Sequence, residues 1–177
     1  MFKYISGSEV RKRIIFLACL LLSSWPGNVD PVGAGHVENP NGIIIDVGGD
    51  EPEGSMGFGW SRKESDHVRT FRWIEGLEAD VWFDLEESTD LRLRIKAAPL
   101  YIGWKRQNIG IYVNQRFLKE WVCPDSHEFA EYSVDIPGYY LRDGSNRMIL
   151  RLGYSHRIGR ERRELSLAVE KIVMERR

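Results

Sequence analysis

The 177-residue chain carries 25 Lys and Arg against 26 Asp and Glu, a formal net charge of −1. That balance excludes the basic footprint of a polyanion- or nucleic-acid-binding protein. A hydrophobic fraction of 42% beside 29% charged residues excludes disorder as the default and suits one domain with a sizeable core. Seven Tyr, seven Phe and six Trp favour a β-rich domain.

The first segment has the layout of an export signal. Arg11-Lys12-Arg13 precedes the uncharged apolar run Ile14 to Leu22, which Ser23, Ser24, Trp25, Pro26 and Gly27 then break. The run is too short for a bilayer, which needs about 20 apolar residues. Cleavage is expected after Ala34 or, nearer the run, around Ser24; the alternative is a retained N-terminal anchor. Residues 1–34 are thus expected as a signal peptide or anchor, 35–42 as a linker and 43–177 as the folded domain. The protein is expected to be exported (periplasmic, cell-surface or secreted), with no membrane span in the mature chain. Of the two cysteines, Cys19 lies in the apolar run. Cys123 then has no partner, and is expected to be a small buried hydrophobe.

Short β-type runs alternate with turn signals through the rest of the chain. Ile43 to Val47 is the first, and the acidic, Gly-containing stretch from Asp50 to Met56 is a loop. Thr70 to Ile74 follows. From Leu77 to Leu85, apolar Leu77, Ala79, Val81, Phe83 and Leu85 alternate with Glu78, Asp80, Trp82 and Asp84. That period of two is a strand signature. Leu91, Leu93, Ile95 and Ala97 repeat it, alternating with Arg92, Arg94 and Lys96. The acidic face followed by a basic one predicts an antiparallel pair with facing charges. Ala98 to Gln107 is a loop. Asn108 to Val113 and Arg116 to Val122 are strands joined by a tight Asn114-Gln115 turn, since Asn tolerates φ > 0. Glu128 to Ile136 is a strand, Pro137 to Leu141 a single helical turn, and Met148, Leu150 and Leu152 alternate in the next strand. Leu165 to Val169 and Ile172 to Met174 end the chain. About nine strands with frequent turns and no long helical period predict an all-β, antiparallel sandwich.

The stretch Ile111-Tyr112-Val113-Asn114, Leu118, Trp121, Tyr132 to Pro137 and Leu141-x-x-Gly144-x-Asn146-x-Met148-x-Leu150 resembles a galactose-binding-like jelly roll. Gly59-Trp60-Ser61, Glu64, Phe71-Arg72-Trp73 and Glu161-x-Arg163-x-Leu165-x-Leu167-Ala168 flank it. Together they resemble the extracytoplasmic β-sandwich module attached to bacterial membrane glycosyltransferases and cell-surface polysaccharide proteins, over roughly residues 43–175. The resemblance implies a jelly-roll-like sandwich and a non-catalytic, carbohydrate-associated role, accessory to surface polysaccharide assembly. The chain departs from that pattern in having no multi-span membrane region, so a free-standing version of the module is expected.

No reaction centre is evident. There is no G-x-S-x-G elbow, no H-E-x-x-H and no paired-His metal spacing. His36, His67, His127 and His156 are scattered among loop signals. A weak glycoside hydrolase needs two carboxylates about 5–10 Å apart; Glu78, Asp80 and Asp84 are the candidates, and Arg92, Arg94 and Lys96 are expected to neutralise them. Asp46, Asp50 and Glu53 gather acidic oxygens for a candidate structural calcium, against the plainer reading of a solvated acidic loop. Sugar binding is the leading reading, because aromatic planes beside forked donors match a pyranose with its apolar face and polar rim. The ligand-binding candidates are Trp60, Tyr101, Trp104, Arg106 and Arg163, with Trp82 and Tyr154 as further aromatics and Gln107 beside Arg106. Partners are expected to be a glycan or a cell-envelope protein, with no nucleic acid. The rival is a structural or protein-interaction sandwich, in which these aromatics seal the ends of the core.

Overall fold

The computed structural model describes residues 38–39, 42–49, 55–160 and 162–177. The expected signal segment, Asp50 and Glu53 lie outside them. The strands are β1 (Glu38–Asn39), β2 (Gly42–Ile45), β3 (Glu64–Ser65), β4 (Thr70–Glu75), β5 (Glu78–Leu85), β6 (Leu91–Pro99), β7 (Asn108–Val113), β8 (Arg116–Val122), β9 (Ala130–Ile136), β10 (Gly144–Leu152) and β11 (Leu165–Arg176). Nine are longer than two residues, and β1 and β3 add two short pieces. A 3-10 turn at Gly138–Tyr140 stands where one helical turn is expected.

The strands form two antiparallel sheets. One has the order β5-β10-β7-β8. The other is built on β11, which pairs β6 along one side and successively β4 and β2 along the other, with β9 beyond β6. The facing sides bury Ile45, Ile74, Val81, Phe83, Leu93, Ile95, Ile109, Ile111, Met148, Leu150, Leu167 and Ile172. This is the layered antiparallel architecture that the alternation predicts.

Two expectations are corrected. The runs 165–169 and 172–174 are one strand. Leu165, Leu167 and Val169 are buried at odd positions and Ile172 and Met174 at even ones, and the register against β6 shifts between Val169 and Lys171. One extra residue accounts for the change of parity, and it falls where β11 passes from β4 to β2.

The charged strands β5 and β6 do not pair. Residues 86–90 carry the chain from one sheet to the other, so each charged face meets a different neighbour. Glu78 and Asp80 receive Arg151 and Arg147 from β10, each Nε 2.6 Å from its carboxylate. Arg92 pairs with Asp135 on β9 at 2.8 Å, Lys96 with Glu170 on β11 at 2.9 Å, and Arg94 with Glu175. Period-two alternation places a side chain on a face but does not name the partner strand. The exposed pairs are individually weak.

Asp80 differs from the rest because its side chain is buried. Its Oδ2 accepts from Arg147 Nε, its Oδ1 from the Phe58 N–H at 2.7 Å, and its backbone carbonyl from the Trp60 indole at 2.7 Å. The segment 56–60 thereby lies along the outer edge of β5, and a side chain at Gly57 would sit 1.9 Å from Asp80 Oδ1. Asp80→Ala should lower stability by about 2–4 kcal/mol, because it strands a half-buried guanidinium and an amide donor. Urea denaturation of the two proteins measures this.

Cys123 is buried beside Tyr132. Burial pushes its thiol above the ordinary value, against a smaller lowering by the Tyr132 hydroxyl. A thiolate is the reactive form. Native protein should therefore leave Cys123 unmodified by a thiol reagent at pH 8, and react only once denaturant is added.

Candidate functional site

Three connections meet at one end of the sandwich: residues 100–107 between β6 and β7, 123–129 between β8 and β9, and 153–164 between β10 and β11. The registers bring them together, since Pro99 faces Leu167, Asn108 faces Val122, and Leu152 faces Ile109. A fixed base holds them. Gln107 is 1% exposed and makes five hydrogen bonds. Its Nε2 donates to the carbonyls of Tyr154 (2.8 Å) and Ser166 (3.1 Å). Its Oε1 accepts from the N–H groups of Asn108 (3.1 Å), Gly153 (2.9 Å) and Tyr154 (3.2 Å). The buried Tyr154 hydroxyl reaches the carbonyls of Leu100 and, at 3.0 Å, Lys105, pinning the 100–107 loop from beneath.

Above this base the loops enclose a shallow pocket of about 500 Å³, lined by Tyr101, Ile102, Gly103, His127, His156, Arg157, Ile158 and Gly159. The Tyr101 ring meets His127 edge-on at 5.7 Å, and its hydroxyl donates to the Gly103 carbonyl at 3.1 Å. Gly103 has φ +86° in open space, the conformation that turns the chain outward after Tyr101. Trp104 follows and is 78% exposed; Ile158, across the pocket, is 50% exposed. Arg106 makes two hydrogen bonds to Asp125, at 2.8 and 2.9 Å, and clamps the first loop to the second. Those bonds, and then the charge of Asp125, push the guanidinium above its ordinary value.

Of the five expected ligand-binding residues, only Tyr101 lines the pocket, and Trp104 stands on the same loop. Arg106 is engaged by Asp125. Trp60 is half-buried against the core, with its indole N–H given to Asp80. Arg163 braces the 153–164 loop on β3 and β4, 2.6 Å from Glu64 and 3.6 Å from Glu75. Gln107 and Tyr154, read as groups for a ligand, are structural. Buried amide and phenol groups serve the backbone when loop carbonyls and N–H groups have no ladder partners. His127 and the run His156, Arg157 and Ile158 are not legible as a group, because they come from two different connections and only the strand order gathers them.

Trp82 lies elsewhere, on the outer face of the four-stranded sheet. Arg147 sits 5.4 Å from its ring and 5.7 Å from that of Phe58. On the same sheet, Tyr112 meets Phe117 at 5.4 Å and Arg151 at 4.7 Å. Of the candidate calcium ligands only Asp46 is described; it is exposed and directly follows β2. Among the described residues, no three His, Cys, Asp or Glu side chains are arranged to hold a metal, and no helix is long and apolar enough to cross a membrane.

Comparison with solved structures places this architecture. A family 35 carbohydrate binding module from Clostridium thermocellum aligns with 75% of this chain and 97% of its own, at 12% identity and a TM-score of 0.50. The C-terminal CBM6 of LamC from Zobellia galactanivorans aligns with 77% of this chain and all of its own, at 10% identity and 0.50. The fold is the β-sandwich of carbohydrate-binding modules. The GH26-CBM35 β-(1,4)-mannanase of Podospora anserina matches over 78% of this chain, at 12% identity and a TM-score of 0.51, but the match spans only 28% of that enzyme. No family model and no curated protein sequence matches the chain.

Proposed function

We propose that this chain is a non-catalytic carbohydrate-binding module whose ligand lies across the pocket formed by residues 100–107, 123–129 and 153–164. One observation carries the reading: Trp104, a large aromatic that is 78% exposed, lies on the same loop as the pocket residues Tyr101, Ile102 and Gly103, and Tyr154 pins that loop through the Leu100 and Lys105 carbonyls. Leaving an indole in water forgoes the stabilisation that burial supplies, and an exposed aromatic on a loop that lines a concavity is a recurring binding arrangement. A pyranose ring stacks its C–H face on such a plane, while the His127, His156 and Arg157 side chains meet its hydroxyls. The fold shared with carbohydrate-binding modules supports the reading. Asp80, one of the carboxylates that a hydrolase would recruit, is committed to Arg147 and the Phe58 amide.

The finer form of this reading is a module exported beyond the cytoplasm and serving cell-surface polysaccharide assembly. It is supported by the basic-then-apolar N-terminal segment and by the resemblance of residues 43–175. A second reading has one observation in its favour. The Phe58, Trp82, Tyr112 and Phe117 rings, with Arg147 and Arg151, give the outer face of the four-stranded sheet the residue types enriched at protein interfaces.

Trp104→Ala tests the first reading. It should change stability by less than about 1 kcal/mol, as for a surface position, and reduce glycan affinity about tenfold or more. Were Trp104 a plug, stability would fall by about 3–5 kcal/mol. Urea denaturation and affinity electrophoresis of the same preparations separate the two. Unchanged glycan binding in the Trp104 variant, with loss on Trp82→Ala, would move the site to the sheet face.

A further inference from the structure

We infer that the glycan taken by the loop-end pocket is acidic, carrying carboxylate, sulfate or phosphate groups; this deepens the carbohydrate-binding reading and rests on it. Among the described residues, every titratable side chain that lines the pocket other than the Tyr101 phenol carries a nitrogen donor: His127, His156 and Arg157. Among the described residues no Asp or Glu lines it; Glu161 of the same loop lies outside them. A neutral sugar hydroxyl both donates and accepts, so a site for neutral sugars gains from a carboxylate acceptor. A site with cationic and imidazole donors and no carboxylate suits a ligand rich in acceptors.

The surrounding charges point the same way. Asp125 is consumed by the two hydrogen bonds from Arg106. Glu164 accepts from Ser155 Oγ at 3.1 Å and lies 3.4 Å from Arg157. That contact is between groups more than half exposed, so it leaves the guanidinium free to turn to a ligand. Lys105, on the same loop as Tyr101, stands 5.0 Å over the ring of Tyr154, whose hydroxyl pins that loop. Arg160 adjoins the lining residue Gly159, is exposed, and has no hydrogen bond or ion pair among the described residues. In the second loop Glu128 is exposed and its backbone N–H is held by Ser126. The chain as a whole has a net charge of −1. The basic character of this end is therefore local, and falls where the exposed Trp104 and the pocket also fall.

The full chain, run by affinity electrophoresis through polygalacturonate, fully methyl-esterified pectin, galactan, dextran and dextran sulfate, tests this. A phosphomannan gel and a polyglutamate gel complete the series. Retardation is expected in at least one acidic polysaccharide, about tenfold stronger than in its uncharged counterpart and weakened by salt at about 0.5 M. Esterified pectin against polygalacturonate isolates the carboxylate, dextran against dextran sulfate isolates the sulfate, and phosphomannan reports phosphate. The double variant Arg157→Gln/Arg160→Gln should lose about tenfold on the acidic polysaccharide while keeping its denaturation midpoint. Equal or stronger binding to the uncharged polysaccharides, or no change in the double variant, would overturn the acidic preference and leave the module reading standing. Equal retardation in polyglutamate would overturn it as well, reducing the site to a general anion patch. No retardation in any polysaccharide gel would overturn the carbohydrate-binding reading itself.

Discussion

Gln107→Leu is expected to lower stability by about 3–5 kcal/mol, with the urea midpoint as the readout. Leucine fills a similar volume, so the loss is not chiefly one of packing. It removes five hydrogen bonds at a position that is 1% exposed. Ser166 keeps a second donor in Leu100 N–H, and Gly153 N–H keeps the Asn108 carbonyl. Among the described residues Tyr154 has no substitute: its N–H and carbonyl both bond to Gln107. Buried backbone groups left without partners cost about 1–3 kcal/mol each. Gln107→Glu keeps the shape and one acceptor but turns a second oxygen toward two carbonyls, so it should be no milder at neutral pH. Any glycan binding should go with it, because Tyr154 and the 100–107 loop lose their base. A loss under about 1 kcal/mol for either variant would show that the loop end does not depend on this amide.

Asn146→Ala is expected to cost about 3 kcal/mol, through a similar device at the opposite end of β10. Asn146 is fully buried. Its Oδ1 accepts from the Arg142 N–H at 2.9 Å and from Asn114 Nδ2 at 2.8 Å. Its Nδ2 donates to the carbonyls of Arg142 and Gly144, both at 2.8 Å. These bonds shape the turn into β10, where Gly144 takes φ +75°. Asn114 occupies the β7–β8 turn with φ 48°, and Gln115 follows with φ 70°. Its Nδ2 also donates to the Tyr140 carbonyl at 2.9 Å, and its Oδ1 accepts from the Arg147 N–H at 3.0 Å. The two amides therefore lock two turns together, and a double-mutant cycle with Asn114→Ala should show coupling of about 1–2 kcal/mol. Additive losses would mean that the turns form independently.

Much of the sandwich is legible in the chain, because one face of each long strand is buried and the other is wet. The alternation of Ala79, Val81, Phe83 and Leu85, and of Leu91, Leu93, Ile95 and Ala97, marks β5 and β6 plainly. Their partners are not legible: an acidic strand followed by a basic one suggests a hairpin, whereas Arg147 and Arg151 lie more than 60 residues away from Asp80 and Glu78. The Leu141-x-x-Gly144-x-Asn146 pattern, noticed as a resemblance, has a physical basis in the positive φ of Gly144 and the four bonds of Asn146.

The site is less legible than the fold. Trp104 stands out in sequence because Gly103 and Lys105 flank it without an apolar pattern, and it is exposed. Gln107, three residues on, belongs to the base, and nothing local distinguishes a glutamine that serves a ligand from one that serves the backbone. Trp60 reads as a loop aromatic, yet its indole N–H finds Asp80 twenty residues later. Tyr101, His127 and the pair His156-Arg157 have no shared spacing, because three separate connections supply them.

Affinity electrophoresis of the intact chain and of Trp104→Ala, side by side across a panel of neutral and acidic polysaccharides, tests the central claim most directly. The intact protein should be retarded by at least one polysaccharide, and the variant should migrate freely in that gel with an unchanged urea midpoint. A folded protein that no polysaccharide retards, or a variant retarded as strongly as the parent, would contradict the assignment of a glycan to this pocket.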